Sequence, residues 1–141
     1  MSTYPAVLIA SSGAVIAYIG AVHLYYTFAT DKFLPRDPDL KQRLEAVSPV
    51  LTRQTTMWRA WVGFNASHAL GLLLFGAVYV NLALFHLPVL LGSPFLLLTG
   101  FALLLALLVL CKVYWFKAPF RSVALAVLLY VTGAIAGLAS S

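Results

Sequence analysis

The chain has 141 residues, of which 62% are hydrophobic and only 9% are charged, and its net charge is +5. Soluble domains carry about 25% charged residues, so this composition excludes an ordinary soluble protein and indicates an integral membrane protein. At about 20–25 residues per span, the length accommodates four transmembrane helices and no separate soluble domain. The single cysteine excludes an intrachain disulfide and a redox enzyme that depends on a resolving thiol.

The first predicted span covers residues 6–29, and a polar segment over residues 30–54 follows it. The span is longer than a signal-peptide core and has no basic N-terminal region, so we expect it to be retained. In the polar segment, Asp37–Pro38 has the pattern of a helix start, and apolar residues recur on one face after it. We predict a short amphipathic helix lying on the membrane surface.

The stretch 48–71 holds most of the polar side chains that could act inside a membrane. We predict that its helix begins with Ser48 as the N-cap and Pro49 in the first turn, and that the second span covers residues 55–82. Six side chains of this helix fall within one stripe of about 80°: Gln54, Trp58, Trp61, Asn65, His68 and Leu72. Because unpaired polar groups in hydrocarbon cost several kcal/mol, the stripe is expected to face the protein interior.

Two further spans are predicted over residues 94–115 and 120–139, the first of them beginning at a Ser93–Pro94 cap. In the last span, Gly133 and Gly137 form a GxxxG pattern, which serves either internal packing or a homo-oligomer through that face. The predicted fold is therefore all-α. It is an antiparallel bundle of four transmembrane helices, forming one domain over residues 1–141, with the amphipathic helix in the first cytoplasmic loop.

The charges predict the orientation in the membrane. All nine Lys and Arg residues lie between the first two spans or near the connection of the last two. Under the positive-inside rule, these basic loops are cytoplasmic and both termini lie outside, as expected for a multi-pass protein of a bacterial inner membrane. Juxtamembrane basic residues bind anionic lipid headgroups, so the lipid bilayer, and not nucleic acid, explains the positive charge.

The polar residues of the first two spans are predicted to form a common pocket. These spans are neighbours joined by one loop, so the face that carries His23 and Tyr26 can meet the stripe of the second span. Intramembrane ionisable groups mark functional sites by default. The candidate ligand-binding or cofactor-binding residues are Trp58, Trp61, Asn65, His68, His23, Tyr26 and Gln54. The alternative is structural, because such groups also hydrogen-bond between helices and contribute about 0.6–2 kcal/mol.

The same residues limit the kinds of metal site and catalysis that the protein could support. No Asp or Glu lies within a predicted span, which argues against carboxylate proton relays, and two buried histidines are too few for a zinc site. His23 and His68 could hold a haem iron axially, but the helix rise offsets them by about 6 Å in depth, which counts against haem. If the protein is an enzyme, His68 or His23 is the candidate acid or base, with Asn65 and Tyr26 as hydrogen-bonding, orienting groups.

The second span also carries a resemblance to a family. The chain resembles a small, uncharacterised bacterial family of four-span membrane proteins over these segments: Leu51–Trp58, Ala60–Trp61, Gly63–Asn65, Ser67–His68, His23–Tyr26 and Pro35–Asp37. This resemblance implies a four-helix bundle and no particular activity. Arg59, Ala60 and Asn65 are loosely similar to the membrane-associated eicosanoid and glutathione proteins, although the spacing differs and His68 stands where that family has an acid.

These observations lead to three hypotheses of function. The first is a membrane protein that binds a lipid-like or isoprenoid molecule between the first two spans. The second is a non-enzymatic membrane scaffold that assembles with a partner or with itself through its small-residue faces. The third is a membrane enzyme that modifies glutathione or lipid, and it predicts that turnover is lost in His68→Ala or Asn65→Ala.

Overall fold

A computed structural model describes residues 3–140, which form six helices and, within that range, no β-strand. In chain order the helices are α1 (Tyr4–Ala29), α2 (Pro38–Ala46), α3 (Met57–Phe85), α4 (Leu87–Gly92), α5 (Pro94–Tyr114) and α6 (Lys117–Ala139). The predicted all-α fold class is confirmed.

Four of these helices are long and apolar enough to cross a membrane, namely α1, α3, α5 and α6. The shortest of them, α5, has 21 residues, which at about 1.5 Å per residue span about 31 Å. The hydrocarbon core of a bilayer is about 30 Å thick, so even this helix is sufficient. The chain is therefore a polytopic membrane protein, and its helices lie close to the predicted spans.

Two helix starts follow the predicted pattern of a polar cap and a proline. The Asp37 carboxylate accepts a hydrogen bond from the Asp39 N–H at 3.0 Å, directly before α2. The Ser93 hydroxyl accepts one from the Leu96 N–H at 3.3 Å, at the start of α5. In both cases a short polar side chain satisfies an N–H that the first helical turn leaves unpaired.

The predicted start of the second long helix at Ser48 and Pro49 is wrong, because α3 begins only at Met57. The Thr56 hydroxyl accepts a hydrogen bond from the Arg59 N–H at 3.3 Å and so acts as the cap. Earlier in the segment, the Thr52 hydroxyl accepts from the backbone N–H of Gln54. Such local side-chain hydrogen bonds compete with helix formation. The Ser–Pro pattern at Ser48–Pro49 does not indicate this competition.

The described chain divides into two compact units, unit 1 (residues 3–19 and 72–140) and unit 2 (residues 20–71). The division falls within α1 and within α3. In unit 1, buried side chains from α1, α3, α4, α5 and α6 form one apolar core. Its most buried members are Ile9, Ile16, Ala83, Leu90, Leu104 and Ala126.

Glycines allow the closest helix contacts in unit 1. A Cβ atom built on Gly76 of α3 would lie 2.5 Å from the carbonyl oxygen of Gly13 and 2.6 Å from the Cβ of Ala17, both in α1. Small residues of this kind let two backbones approach where a larger side chain would separate them. Gly13 and Ala17 are therefore used to pack this chain against itself.

The GxxxG face of the last span is also occupied inside the chain. Gly133 packs against Ile9 and Leu8 of α1, and Gly137 packs against Leu91 of α4. Both glycines are buried. Gly133 and Gly137 therefore serve packing within the chain, and a homo-oligomer through this face stays a prediction.

Three hydroxyl groups that the sequence analysis did not single out tie the helices of unit 1 together. Ser12 donates to the Ala126 carbonyl at 2.7 Å, Tyr79 donates to the Leu96 carbonyl at 2.7 Å, and Tyr130 donates to a carbonyl of α5 at 3.0 Å. A hydroxyl in hydrocarbon needs such a partner, since no water is available there. Each bond joins one helix to the backbone of another.

We expect Tyr130→Phe to lower the free energy of unfolding by about 0.5–1.5 kcal/mol, the net contribution of one hydrogen bond. Tyr130 is only 2% exposed and bonds to the Leu97 carbonyl. Tyr18→Phe is the matched control because Tyr18 is 71% exposed, and it should leave stability unchanged. Thermal unfolding of both purified variants in one detergent, followed by circular dichroism, measures the difference. Equal midpoints would contradict a stabilising role for the Tyr130 hydroxyl.

Candidate functional site

Unit 2 brings together three of the polar residues that were predicted to share a pocket. The Nε2 atom of His23, on α1, lies 3.0 Å from Oδ1 of Asn65, on α3. The imidazole rings of His23 and His68 contact each other, with centroids 5.2 Å apart at an angle of 73°. Asn65 is only 3% exposed, whereas both histidines are partly buried. The predicted meeting of these side chains is therefore present in the structure.

The hydrogen bonds of Asn65 determine which nitrogen of His23 carries a proton. The Asn65 Nδ2 donates to the backbone carbonyl of Trp61 at 2.8 Å, and a carbonyl can only accept. The amide is therefore oriented with Oδ1 toward His23, where it accepts. It follows that Nε2 of His23 is protonated, and that Nδ1 carries the lone pair when the ring is neutral.

The contact between His23 and His68 does not fit a haem. With centroids 5.2 Å apart in an edge-to-face arrangement, the two rings pack against each other, and no gap for a porphyrin lies between them. The helix rise places the backbones of His23 and His68 about 6 Å apart in depth, and the two side chains extend across this distance to make contact. Among residues 3–140, no group of three or more His, Cys, Asp or Glu could hold a metal ion.

Phe33 is part of this site although the sequence analysis did not identify it. Its ring lies 4.7 Å from that of His23, and its carbonyl accepts a hydrogen bond from Nε1 of Trp61 at 3.3 Å. Its ring also contacts Tyr26, with centroids 6.3 Å apart. The sequence feature that could have indicated its burial is the apolar triplet Phe33–Leu34–Pro35, which lies within an otherwise charged connection.

A small cavity of about 90 Å³ lies beside this cluster. It is lined by aromatic, aliphatic, hydroxyl and amide side chains, with no ionisable residue among them: Thr27, Thr30, Phe33, Leu34, Trp58, Trp61, Val62 and Asn65. Three of the predicted ligand-binding residues, Trp58, Trp61 and Asn65, thus line one cavity. His23 contacts Asn65 but is not part of the lining.

Four of the predicted site residues do not line the cavity: His23, His68, Gln54 and Tyr26. Gln54 is exposed and precedes α3, so it does not share the helical stripe of Asn65. The cause is the late start of α3, since helical periodicity applies only from Met57 onward. Tyr26 is 36% exposed and packs its ring against Tyr25 and Phe33.

Helix α2 is connected to the start of α3 through Trp58. The Nζ atom of Lys41 lies 5.3 Å from the centroid of the Trp58 ring, within the range of a cation–π contact. Lys41 also forms an ion pair of 2.6 Å with Glu45, one helical turn further along α2. This contact therefore links the polar helix to an aromatic wall of the cavity.

Comparisons with protein-family models, with curated proteins and with solved structures find no match to this chain.

Proposed function

We propose that this membrane protein binds the uncharged polar head of a lipid-like or isoprenoid molecule in the cavity of unit 2. The observation behind the proposal is the lining of that cavity. Three aromatic rings, of Phe33, Trp58 and Trp61, are combined there with hydroxyl and amide groups and with no ionisable side chain. Such a mixture of apolar walls and a few polar groups is typical of small-molecule sites.

The volume limits what enters the cavity. The space is about 90 Å³ and is partly open to its surroundings. It is smaller than the engineered cavity of about 150 Å³ that binds benzene. A small polar head therefore suits it, while the apolar tail of the same molecule stays in the bilayer.

The polar groups favour a hydroxyl head over a phosphate. A carboxamide has two N–H donors and two acceptor lone pairs, and the bonds of Asn65 to Trp61 and His23 use one of each. A hydroxyl both donates and accepts, so it can use the remaining donor and acceptor. A phosphate would bring charge against a lining that has no ionisable side chain, which is costly.

We also infer that the cavity lies at the cytoplasmic surface. Its residues come from the end of α1, the connection that follows and the start of α3, and six of the nine Lys and Arg residues fall in unit 2. Basic connections stay on the cytoplasmic side under the positive-inside rule. Molecules dissolved in the inner leaflet would then reach the cavity with their heads at the interface.

Titration of the purified protein with an isoprenoid alcohol, followed by tryptophan fluorescence, tests the proposal. We expect saturable quenching, since Trp58 and Trp61 line the cavity. Val62→Phe should weaken the binding by at least about tenfold, because an aromatic ring fills a space that an isoprenoid head would need. The monophosphate of the same alcohol should bind more weakly to the unmodified protein.

Val78→Phe is the matched control for that substitution. Val78 lies on the same helix, is 43% exposed and is not part of the cavity, so the variant should bind like the unmodified protein. Quenching that does not saturate, or that Val62→Phe leaves unchanged, would refute binding in the cavity. Equal affinity for the alcohol and its phosphate would refute only the preference for an uncharged head.

A further inference from the structure

The connection between α2 and α3 presents two apolar side chains outward. Val50 and Leu51 have relative exposures of 109% and 93%, so neither is covered by the rest of the chain. Transfer of such side chains from water into an apolar phase is favourable. Two adjacent side chains of this kind would therefore gain from contact with the apolar part of a bilayer.

These two residues stand at the tip of a loop that is closed by hydrogen bonds. We call residues 47–56 the tip loop. The Met57 N–H donates to the Val47 carbonyl at 2.8 Å, which joins the two ends of the loop. Within it, the Thr52 N–H donates to the Pro49 carbonyl at 3.2 Å and forms a turn. The tip is therefore held in a defined position relative to the first residue of α3.

The length of α3 places that first residue at the membrane surface. Its 29 residues span about 43 Å, which exceeds the hydrocarbon core of about 30 Å and reaches the headgroup layers. Val50 follows Val47 by three residues, or at most about 11 Å of chain, and Val47 is bonded to Met57. The tip is thus within reach of the headgroup layer in which α3 begins.

The charges around the tip loop complement an anionic lipid surface. Arg53, within the loop, and Arg59, in the first turn of α3, are both exposed. Residues 20–71 contain six Lys and Arg against four Asp and Glu, a net charge of +2. Basic residues near apolar side chains are the usual combination in segments that bind anionic membrane surfaces.

We propose that the tip loop inserts Val50 and Leu51 into the headgroup layer of an anionic bilayer leaflet. The arginines contact lipid phosphates, while the two apolar side chains leave water. Because the loop is bonded to the first residue of α3, insertion fixes the start of α3 at the membrane surface. This proposal does not depend on the cavity or on a ligand.

The single cysteine of the chain makes a direct test simple. Cys111 is buried, so Cys111→Ala supplies a background without thiols. In that background, full-length protein with Leu51→Cys is labelled with a polarity-sensitive fluorophore and reconstituted in phosphatidylcholine–phosphatidylglycerol vesicles. We expect an emission shift to shorter wavelength and quenching by lipids that are spin-labelled near the headgroup. In vesicles of phosphatidylcholine alone, the ratio of inserted to water-exposed tip should fall about fivefold for each contributing arginine.

Gln54→Cys, labelled in the same way, is the matched control. Gln54 lies in the same loop, is exposed and is polar, so its label should report a more aqueous environment than the label at Leu51. If both positions give the emission of the dye in water and neither is quenched by lipid, the proposal is overturned. Equal insertion in anionic and neutral vesicles would overturn the role of the arginines.

Discussion

We expect Gly76→Ala to lower the free energy of unfolding by about 1–3 kcal/mol, the usual cost of overpacking a closely packed interior. The new Cβ would lie 2.5 Å from the Gly13 carbonyl oxygen and 2.8 Å from the backbone nitrogen of Ala17. Backbone atoms of a helix cannot move aside as the end of a flexible side chain can, so the two helices have to separate. The loss outweighs the gain of up to about 1 kcal/mol that alanine brings in helix propensity.

Gly71→Ala and Gly63→Ala are the controls for this prediction. Both glycines lie on α3, as Gly76 does, and a Cβ built on either meets no atom within 4 Å. These variants should be as stable as the unmodified protein or more stable by up to about 1 kcal/mol. Thermal unfolding in one detergent, followed by circular dichroism, compares the three. Equal stability of the Gly76 and Gly71 variants would show that the helices tolerate a wider separation.

The second large effect is expected at Asn65. Its amide is 3% exposed and bonds both to His23 and to the Trp61 carbonyl. Asn65→Ala removes the acceptor of the His23 Nε2–H and should lower the free energy of unfolding by about 1–3 kcal/mol. It should also weaken binding of the isoprenoid alcohol, since a donor and an acceptor in the cavity wall are lost. Chemical or thermal unfolding and the fluorescence titration measure the two effects separately.

Two further variants make this prediction specific. Ser67→Ala removes an exposed hydroxyl from the same helix and should change stability by less than about 0.5 kcal/mol. Asn65→Asp keeps the size of the side chain but places an oxygen against the Trp61 carbonyl, where the amide now donates. It should therefore be at least as unstable as Asn65→Ala. A stable Asn65→Asp protein would contradict the need for a donor toward the Trp61 carbonyl, because the carboxylate still accepts from the His23 Nε2–H.

The helix starts show where sequence patterns succeed and where they fail. The cap-plus-proline pattern correctly identified the starts of α2 and α5, because Asp37 and Ser93 act on the backbone of their own helix. The same pattern at Ser48–Pro49 was wrong. There, a hydrogen bond between Met57 and Val47, ten residues apart, closes a loop in place of a helical turn. The preferences of neighbouring residues do not predict a hydrogen bond between residues that are ten positions apart.

The candidate site was predictable in part for the same reason. Helical periodicity placed Trp58, Trp61 and Asn65 on one side of α3, and the cavity is lined by all three. Periodicity could not identify Phe33, which belongs to a connection without regular structure. The predicted stripe also included Gln54, because the helix was expected to begin before residue 54, whereas α3 begins at Met57.

By itself, the sequence determined that the chain is an all-α polytopic membrane protein with four apolar helices. Composition and hydropathy are properties of each segment alone, and in a bilayer every apolar segment of sufficient length satisfies its backbone as a helix. Only the tertiary structure decided the partners within the chain: His23 with Asn65, Gly76 with Gly13, and Gly133 with Ile9. Such pairs depend on the register of helices far apart in sequence. Many registers bury similar apolar area, so packing and hydrogen bonding among them select one.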